Sequence, residues 1–422
     1  MNRSYVVNSN ISLHYIPMDK LKTTTIGIFI HRKLCEEEVS MNALLPYILK
    51  RGCTLCNDTA EIAKYLENLY GATLSSSILK KGDDQIIAFT AETISDKFAA
   101  NNEDLLSDLI KLLMSIIFSP VTEDGNFKKE YLEQEKTNMV DRINGIINDK
   151  RSYAQLRCMQ EMFKGDPSAI YSLGTVEDVE KITPAGLMDH YRKMISSSPI
   201  DIFICGDAEI EKISEAIKEI KLPFAKADIP KADILKKSGE VKNITDKMEV
   251  TQGKLCMGFV TGIPASDDDF ITLMVANSIF GSGAHSKLFN NVREKLSLCY
   301  YASSSLNRFK GIMLVNAGIE FENFQKAHDE ILVQLDSMKK GEISDFEFDA
   351  AVNALVNGYQ SAYDDPMTLQ GIYLGEIVAG TSNSPADYIE KIKKVTKEDI
   401  IRVINKVEPD TVYFLTGKGD EA

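Results

Sequence analysis

The residues best equipped for chemistry gather in one stretch, Gly281 to Tyr301, GSGAHSKLFNNVREKLSLCYY. Gly281, Ser282 and Gly283 open it as a flexible turn, suited to lie against a peptide backbone or to cap the preceding helix. Arg293 follows on a charged helix, and Tyr300, with Tyr301 beside it, begins a strand. An arginine on a charged helix ordinarily serves a solvated ion pair, and a tyrosine at a strand start ordinarily packs half-buried. Residue type alone therefore leaves binding and packing roles open for both.

Metal chemistry has little else to draw on. The five histidines, His14, His31, His190, His285 and His328, include no two spaced to share a helix face. His190 and His328 fall on amphipathic helices, where solvated or capping roles suffice, and His285 falls on a surface loop. One alternative set is His31, Cys35, Cys53 and Cys56. Cys53-Thr-Leu-Cys56 has the spacing of a zinc or redox dithiol, but no second tight Cys/His pair supports it.

The elements that position these residues come in two runs. In the first, VVNSNISLHYIPM and TTTIGIFIHR read as short strands. An acidic loop (Glu36, Glu37, Glu38) precedes a helix over 42–50, and a second helix covers 58–69. ATLSSSILK and DDQIIAFTAE read as paired strands. Long helices are expected over 101–117, 126–149 and 153–163, and the run closes with VEKITPAGLMDHYRKMISSSPIDIFICGD. The chain ends similarly, in YIEKIKKVTKEDIIRVINKVEPDTVYFLTGKG. Thr183 matches Thr396 and Gly206 matches Gly417 at nearly one offset of about half the chain, which marks an internal duplication. The expected domains are 1–221 and 248–422. The stretch 222–247, rich in proline and charge and without sustained period, reads as the linker. Strands precede helices in each half, so the fold class is α+β: two duplicated domains, each a mostly antiparallel sheet covered by helices on one face.

Composition narrows the partners. The 422 residues carry a formal net charge of -14, against duplex nucleic acid or an anionic membrane as ligand. The N-terminal residues lack an apolar signal-peptide core, and no apolar run approaches the ~20 residues of a membrane span. Seven cysteines, an odd set mostly within apolar segments, fit a reducing, cytoplasmic location.

GSGAHSKLFNNVREKLSLCYYASSS resembles the C-terminal-domain motif of the insulinase, pitrilysin and mitochondrial processing peptidase family. GDPSAIYSLGTVEDVEKITPAGLMDHYRKM and ENLYGATLSSS resemble further family segments, so the likeness spans nearly the whole chain. The resemblance implies zinc peptide hydrolysis. His-x-x-Glu-His on an N-terminal-domain helix and a later Glu hold the metal and activate water. An Arg and a Tyr from the C-terminal domain hold the substrate backbone and the developing oxyanion. Carried onto this chain, the Arg and Tyr are Arg293 and Tyr300, but the metal motif is missing. ALLPYILKRG places Ala43, Pro46 and Tyr47 at the His, Glu and His positions, and Arg142 at the late Glu, with Glu135 and Asp141 nearby. Pro46 is also expected to break or start the helix.

The resemblance thus implies an inactive homologue holding no metal and no cofactor of its own: the non-catalytic, peptide-binding subunit of a heterodimeric complex. Zinc would belong to a sister peptidase subunit, whose site Arg293 and Tyr300 would complete. Self-dimerisation is the other pairing. A scaffold protein without a peptidase role and a self-sufficient peptidase with unorthodox ligands are the alternatives.

Overall fold

The computed structural model describes residues 3–7, 10–101, 103–218, 228–236 and 239–418. The chain divides into two compact units. The first comprises Met1–Asn144, Ile170–Lys231 and Asp364–Leu374, and the second Gly145–Ala169, Ala232–Tyr363 and Gly375–Ala422. Each unit therefore includes a segment from the opposite half of the sequence.

The first unit holds a sheet of β1 (Arg3–Val6), β2 (Ile11–Pro17), β3 (Thr23–Lys33), β4 (Thr73–Lys81), β5 (Asp84–Ile94) and β6 (Ile200–Gly206), in the order β1-β2-β6-β3-β5-β4. The second holds β7 (Lys242–Met248), β8 (Gly253–Val260), β9 (Cys299–Asn307), β10 (Ile312–Ile319) and β11 (Glu408–Gly417), in the order β7-β11-β8-β10-β9. Read as β2-β6-β3-β5-β4 against β7-β11-β8-β10-β9, the two orders coincide. Each sheet has one parallel pair, β2 with β6 and β7 with β11, among antiparallel neighbours. The internal duplication is thus a repeated topology, with β1 as the first sheet's additional edge.

The two sequence anchors of the repeat do the same physical work twice. Thr183 caps the helix Pro184–Ser197 by accepting from the Gly186 amide, and Thr396 caps Lys397–Ile404 by accepting from the Asp399 amide. Such a cap contributes about 1 kcal/mol. Gly206 and Gly417 end the equivalent strands β6 and β11. A Cβ at Gly206 would meet Thr24 Oγ1 at 2.6 Å, and one at Gly417 would meet the Phe321 ring at 3.0 Å.

Burial follows the pattern of the strands. In the first unit Ile26, Ile28, Ile30, Ile200, Ile202 and Ile204 pack under Leu44, Leu45, Leu109 and Leu113. In the second, Met257, Phe259 and Val315 pack under Val275, Ile279, Ile331 and Val403. The main helical layer lies on this face. The opposite face of the second sheet carries the helix Lys150–Met162, whose Ala154, Cys158 and Met162 cover Cys256, Leu314 and Tyr413.

Three local expectations change. The helix expected over 42–50 spans Glu36–Leu49, so the acidic residues form its first turn, where carboxylates favour the positive end of the helix dipole. Pro46 lies inside that helix and does not end it; the burial of nine of the helix's residues, Pro46 among them, outweighs the backbone hydrogen bond that proline cannot make. The last residues of the expected linker 222–247, from Lys242 on, form β7, an edge strand in register with β11 from Lys242↔Thr411. Its alternation of half-buried and exposed residues, KNITDKM, was masked by the charges it carries. No helix among the described residues is long and apolar enough to cross a membrane.

Candidate functional site

The helix Glu36–Leu49 carries the positions where metal ligands are expected. Ala43 is fully buried in the core and Pro46 is buried beside it. Tyr47 is half-buried and projects toward the helix Lys129–Gly145, which carries Arg142. The Arg142 guanidinium carbon stands 3.9 Å from the centroid of the Tyr47 ring, a cation–π stack. The second-His and late-Glu positions are thus neighbours in space, filled by an aromatic face and a cation.

Glu135, one helical turn away from Asn138, is also committed. Arg51 donates from Nε to its Oε1 at 2.7 Å, and Asn138 donates to its Oε2 at 3.3 Å. Beside them, burial pushes the Lys50 ammonium below its usual range, with Glu135 pulling it back and Arg142 adding to the depression. Zinc does not fit this set: alanine and proline have no donor, and Arg142 would repel a second cation. Among the described residues no three His, Cys, Asp or Glu side chains form a group able to hold a metal ion. Cys53 and Cys56 exchange backbone hydrogen bonds across a tight turn (2.6 and 3.2 Å) and both are free thiols; burial pushes Cys56 up to about 11, away from the thiolate a ligand or nucleophile needs.

The same helix touches an open sheet edge. Ser76 on β4 donates to the Pro46 carbonyl at 3.3 Å. Among the described residues β4 pairs only with β5, and from Thr73 to Ser77 its residues alternate exposed and half-buried. Its outer backbone groups are a template for a further strand.

In the second unit, Gly281 is the buried last residue of the helix Phe270–Gly281. A Cβ there would meet Ser304 Oγ at 2.5 Å and Leu288 Cδ1 at 2.7 Å, so this glycine serves close packing of helix on strand. Ser282 is exposed, and Gly283 adopts φ +121° against the His285 ring. The charged helix is a π-helix, Leu288–Lys295, a form that is rare and recurrent at functional sites. Its end is closed by Ser297 at φ 51°, after which the Leu298 amide returns to the Val292 carbonyl at 3.0 Å.

Arg293 stacks over Phe289 at 4.7 Å and reaches Glu294 at 3.5 Å. Tyr300 is 60% exposed and donates to Glu320 Oε1 at 2.5 Å, which holds its phenol above the usual range. The reason for its exposure is a β-bulge. Tyr301 pairs with Gly318 and Cys299 with Ile319, leaving Tyr300 as the extra residue. Arg293 and Tyr300 share no hydrogen bond, ion pair or ring contact; each has its own partner.

Two clusters escaped the sequence because their members are far apart in the chain. His31, fully buried on β3, joins Asp84 Oδ2 through Nδ1 at 2.6 Å and Asp201 Oδ2 through Nε2 at 3.0 Å. Asp201 Oδ1 meets His14 Nε2 at 2.6 Å, and His14 Nδ1 meets Ser4 at 2.9 Å. Burial opposes the charged His31 ring, but the hydrogen bonds and charges of Asp201 and Asp84 prevail and push it up to about 9. His190 is buried rather than solvated, with Nε2 2.7 Å from Asn42 Oδ1, and burial pushes it down to about 4. Only the polar residues inside otherwise apolar strands and helices could have signalled these.

A family model for the peptidase M16 inactive domain matches residues 181–355. A probable inactive metalloprotease of Bacillus subtilis (strain 168), YmfF, is 34% identical over 411 residues, covering 97% of this chain and 96% of its own. A conserved protein of Enterococcus faecalis V583 has a similar structure, with a TM-score of 0.91 and 29% identity over 100% of both chains. A peptidase M16 inactive domain from Pseudomonas fluorescens shares the fold, with a TM-score of 0.81 at 18% identity over 99% of this chain and 98% of that one. With its duplicated sheets and its metal positions filled by Ala43, Pro46, Tyr47 and Arg142, the chain belongs to the M16 peptidase family, as an inactive homologue of its zinc enzymes.

Proposed function

We propose that this chain binds extended peptides without cutting them, as the non-catalytic subunit beside a sister chain that carries the zinc. The observation that carries the reading is the pairing of lost and retained features on one helix. Its metal positions are closed by the Tyr47–Arg142 stack, while Pro46 still contacts β4, whose edge is open to a further strand. Strand addition needs only backbone groups and alternating side-chain positions, so it survives loss of the metal. Arg293 and Tyr300 supply a cation and a phenol to the sister's substrate. The seven free thiols suit the reducing cytoplasm.

Co-expression with a zinc-motif M16 chain tests the proposal. The expected result is a stable complex that hydrolyses peptides, while this chain alone does not. Absence of association at micromolar concentration overturns the subunit role, and stoichiometric zinc with hydrolysis by the pure chain overturns the inactive reading.

A further inference from the structure

The helix Glu36–Leu49 has no place for zinc, yet positive charge is concentrated where its metal positions stand. Arg142 lies over the Tyr47 ring at 3.9 Å, Lys50 caps the C-terminal end of the helix, and Arg51 follows it. Lys128 joins them at the rim, 5.1 Å from the Tyr131 ring that Arg51 approaches at 5.8 Å. All these residues lie in the first unit, in a chain whose net charge is -14.

One buried carboxylate stands among them, and it is committed. Glu135 takes Arg51 on Oε1 at 2.7 Å and Asn138 on Oε2 at 3.3 Å. Among the described residues neither Lys50 nor Arg142 has a carboxylate within ion-pair distance. Asp141 is exposed and lies about 100° around the helix Lys129–Gly145 from Arg142, off the face that carries Glu135 and Arg142. Burial depresses the Lys50 ammonium; Glu135 counters this and Arg142 adds to it, so a further anion would stabilise the charged form.

At 3.9 Å the Tyr47 ring covers a face of the Arg142 guanidinium and leaves its in-plane N–H groups open. A carboxylate fits such a fork with two parallel hydrogen bonds. The place also adjoins a backbone template. Tyr47 follows Pro46, whose carbonyl accepts from Ser76 on the open strand β4. A strand added to β4 brings its backbone toward this helix. Backbone groups within a chain are neutral; they carry formal negative charge only at the C-terminus.

We infer that the former metal position is an anion site for the C-terminal carboxylate of a peptide lying along β4. It rests on the peptide-binding reading and names the ligand class: fragments with a free C-terminal carboxylate. Arg142 takes the carboxylate through its in-plane N–H groups, and Lys50 supplies the second positive charge. Hydrolysis of a peptide bond adds water across it, leaving a carboxylate on one fragment and an amine on the other. The reaction that must supply this ligand is therefore peptide-bond cleavage, and the chain holds its N-terminal product.

Fluorescence anisotropy on the full chain tests this with N-terminally labelled, uncharged peptides of one sequence, ending in a free acid or in an amide. The free acid should bind about tenfold more tightly, the worth of one charge-assisted contact. Added salt should narrow the gap. In the double variant Lys50→Gln, Arg142→Gln the two peptides should bind alike. Arg142→Gln alone, at an exposed position outside the core, should reduce the preference to about threefold and guards against misfolding of the double variant. A third peptide, amidated and ending in Glu, should bind like the plain amide. Equal binding of acid and amide to the native chain, or a preference that survives in the double variant, overturns the carboxylate site and leaves the β4 reading standing. A Glu amide that matches the free acid overturns recognition of the terminus. Failure of all three peptides to bind overturns the peptide reading as well.

Discussion

Arg142 stacks on Tyr47 with its guanidinium carbon 3.9 Å from the ring centroid, joining two positions where zinc peptidases of this family need an imidazole and a carboxylate. The contact uses the face of the ring and not its hydroxyl. Tyr47→Phe should therefore leave stability unchanged, and Arg142→Ala should cost about 0.5–1 kcal/mol, the worth of an exposed cation–π pair. Urea denaturation of the two variants checks this; a larger loss for Tyr47→Phe would place the stabilisation in the hydroxyl.

His31 bridges two carboxylates in the core of the first sheet, and its charged form is the favoured one. A folded pKa raised from 6.5 to about 9 contributes stability that is complete below pH 6.5 and lost as pH rises through about 9. The urea midpoint should fall between pH 7 and pH 9.5. His31→Gln should cost roughly 3–5 kcal/mol at neutral pH, because Asp84 and Asp201 are left buried without their cation, and it should flatten the alkaline slope.

His190 gives the opposite dependence. Burial holds its ring neutral down to about pH 4 against an ordinary 6.5, while Glu38 pulls it upward and Arg32 and Lys193 push it down. A neutral ring favoured by the fold carries no penalty above pH 6.5, and the penalty grows as pH falls toward 4, to roughly 3 kcal/mol. His190→Gln, which preserves a partner for Asn42, should be less sensitive to acid than the native chain over that window, as followed by circular dichroism at fixed urea.

The sequence disclosed those parts of the fold whose chemistry is local. Thr183 and Thr396 are legible because capping needs a hydroxyl three residues before an amide, and Gly206 and Gly417 because a side chain there would collide. Loss of the metal motif is legible for the same reason: ligands four apart on a helix are read directly. What was hidden depends on distant partners. Nothing near residue 150 says that its helix packs with the second unit, and nothing near Tyr300 reveals a bulge that is set by its register with Gly318 and Ile319. Pro46 misled because its cost is local while the burial that offsets it is not.

Gly281 and Ser282 look alike in the motif but should behave differently. Gly281→Ala forces a methyl against Ser304 and Leu288 and should cost about 1–3 kcal/mol. Ser282→Ala, at an exposed position, should stay within about 0.5 kcal/mol. Thermal melts of the two variants decide whether the shape of this turn rests on packing or on freedom to move; equal effects would favour the second.

Tyr300 separates a peptide-handling role from a structural one. Its ring is mostly in solvent and its hydroxyl meets only Glu320, so Tyr300→Phe should shift stability by less than about 0.5 kcal/mol. The bulge that exposes it interrupts the β9–β10 ladder, a cost that packing gives no reason to retain. If the bulge serves to present the phenol, Tyr300→Phe should weaken peptide binding or the activity of the assembled complex while the melting temperature holds. Arg293→Ala, which removes the stack on Phe289 and the contact with Glu294, should do the same. Unchanged binding and activity in both variants would identify the stretch as scaffold, with the bulge a feature of the fold and not of a site.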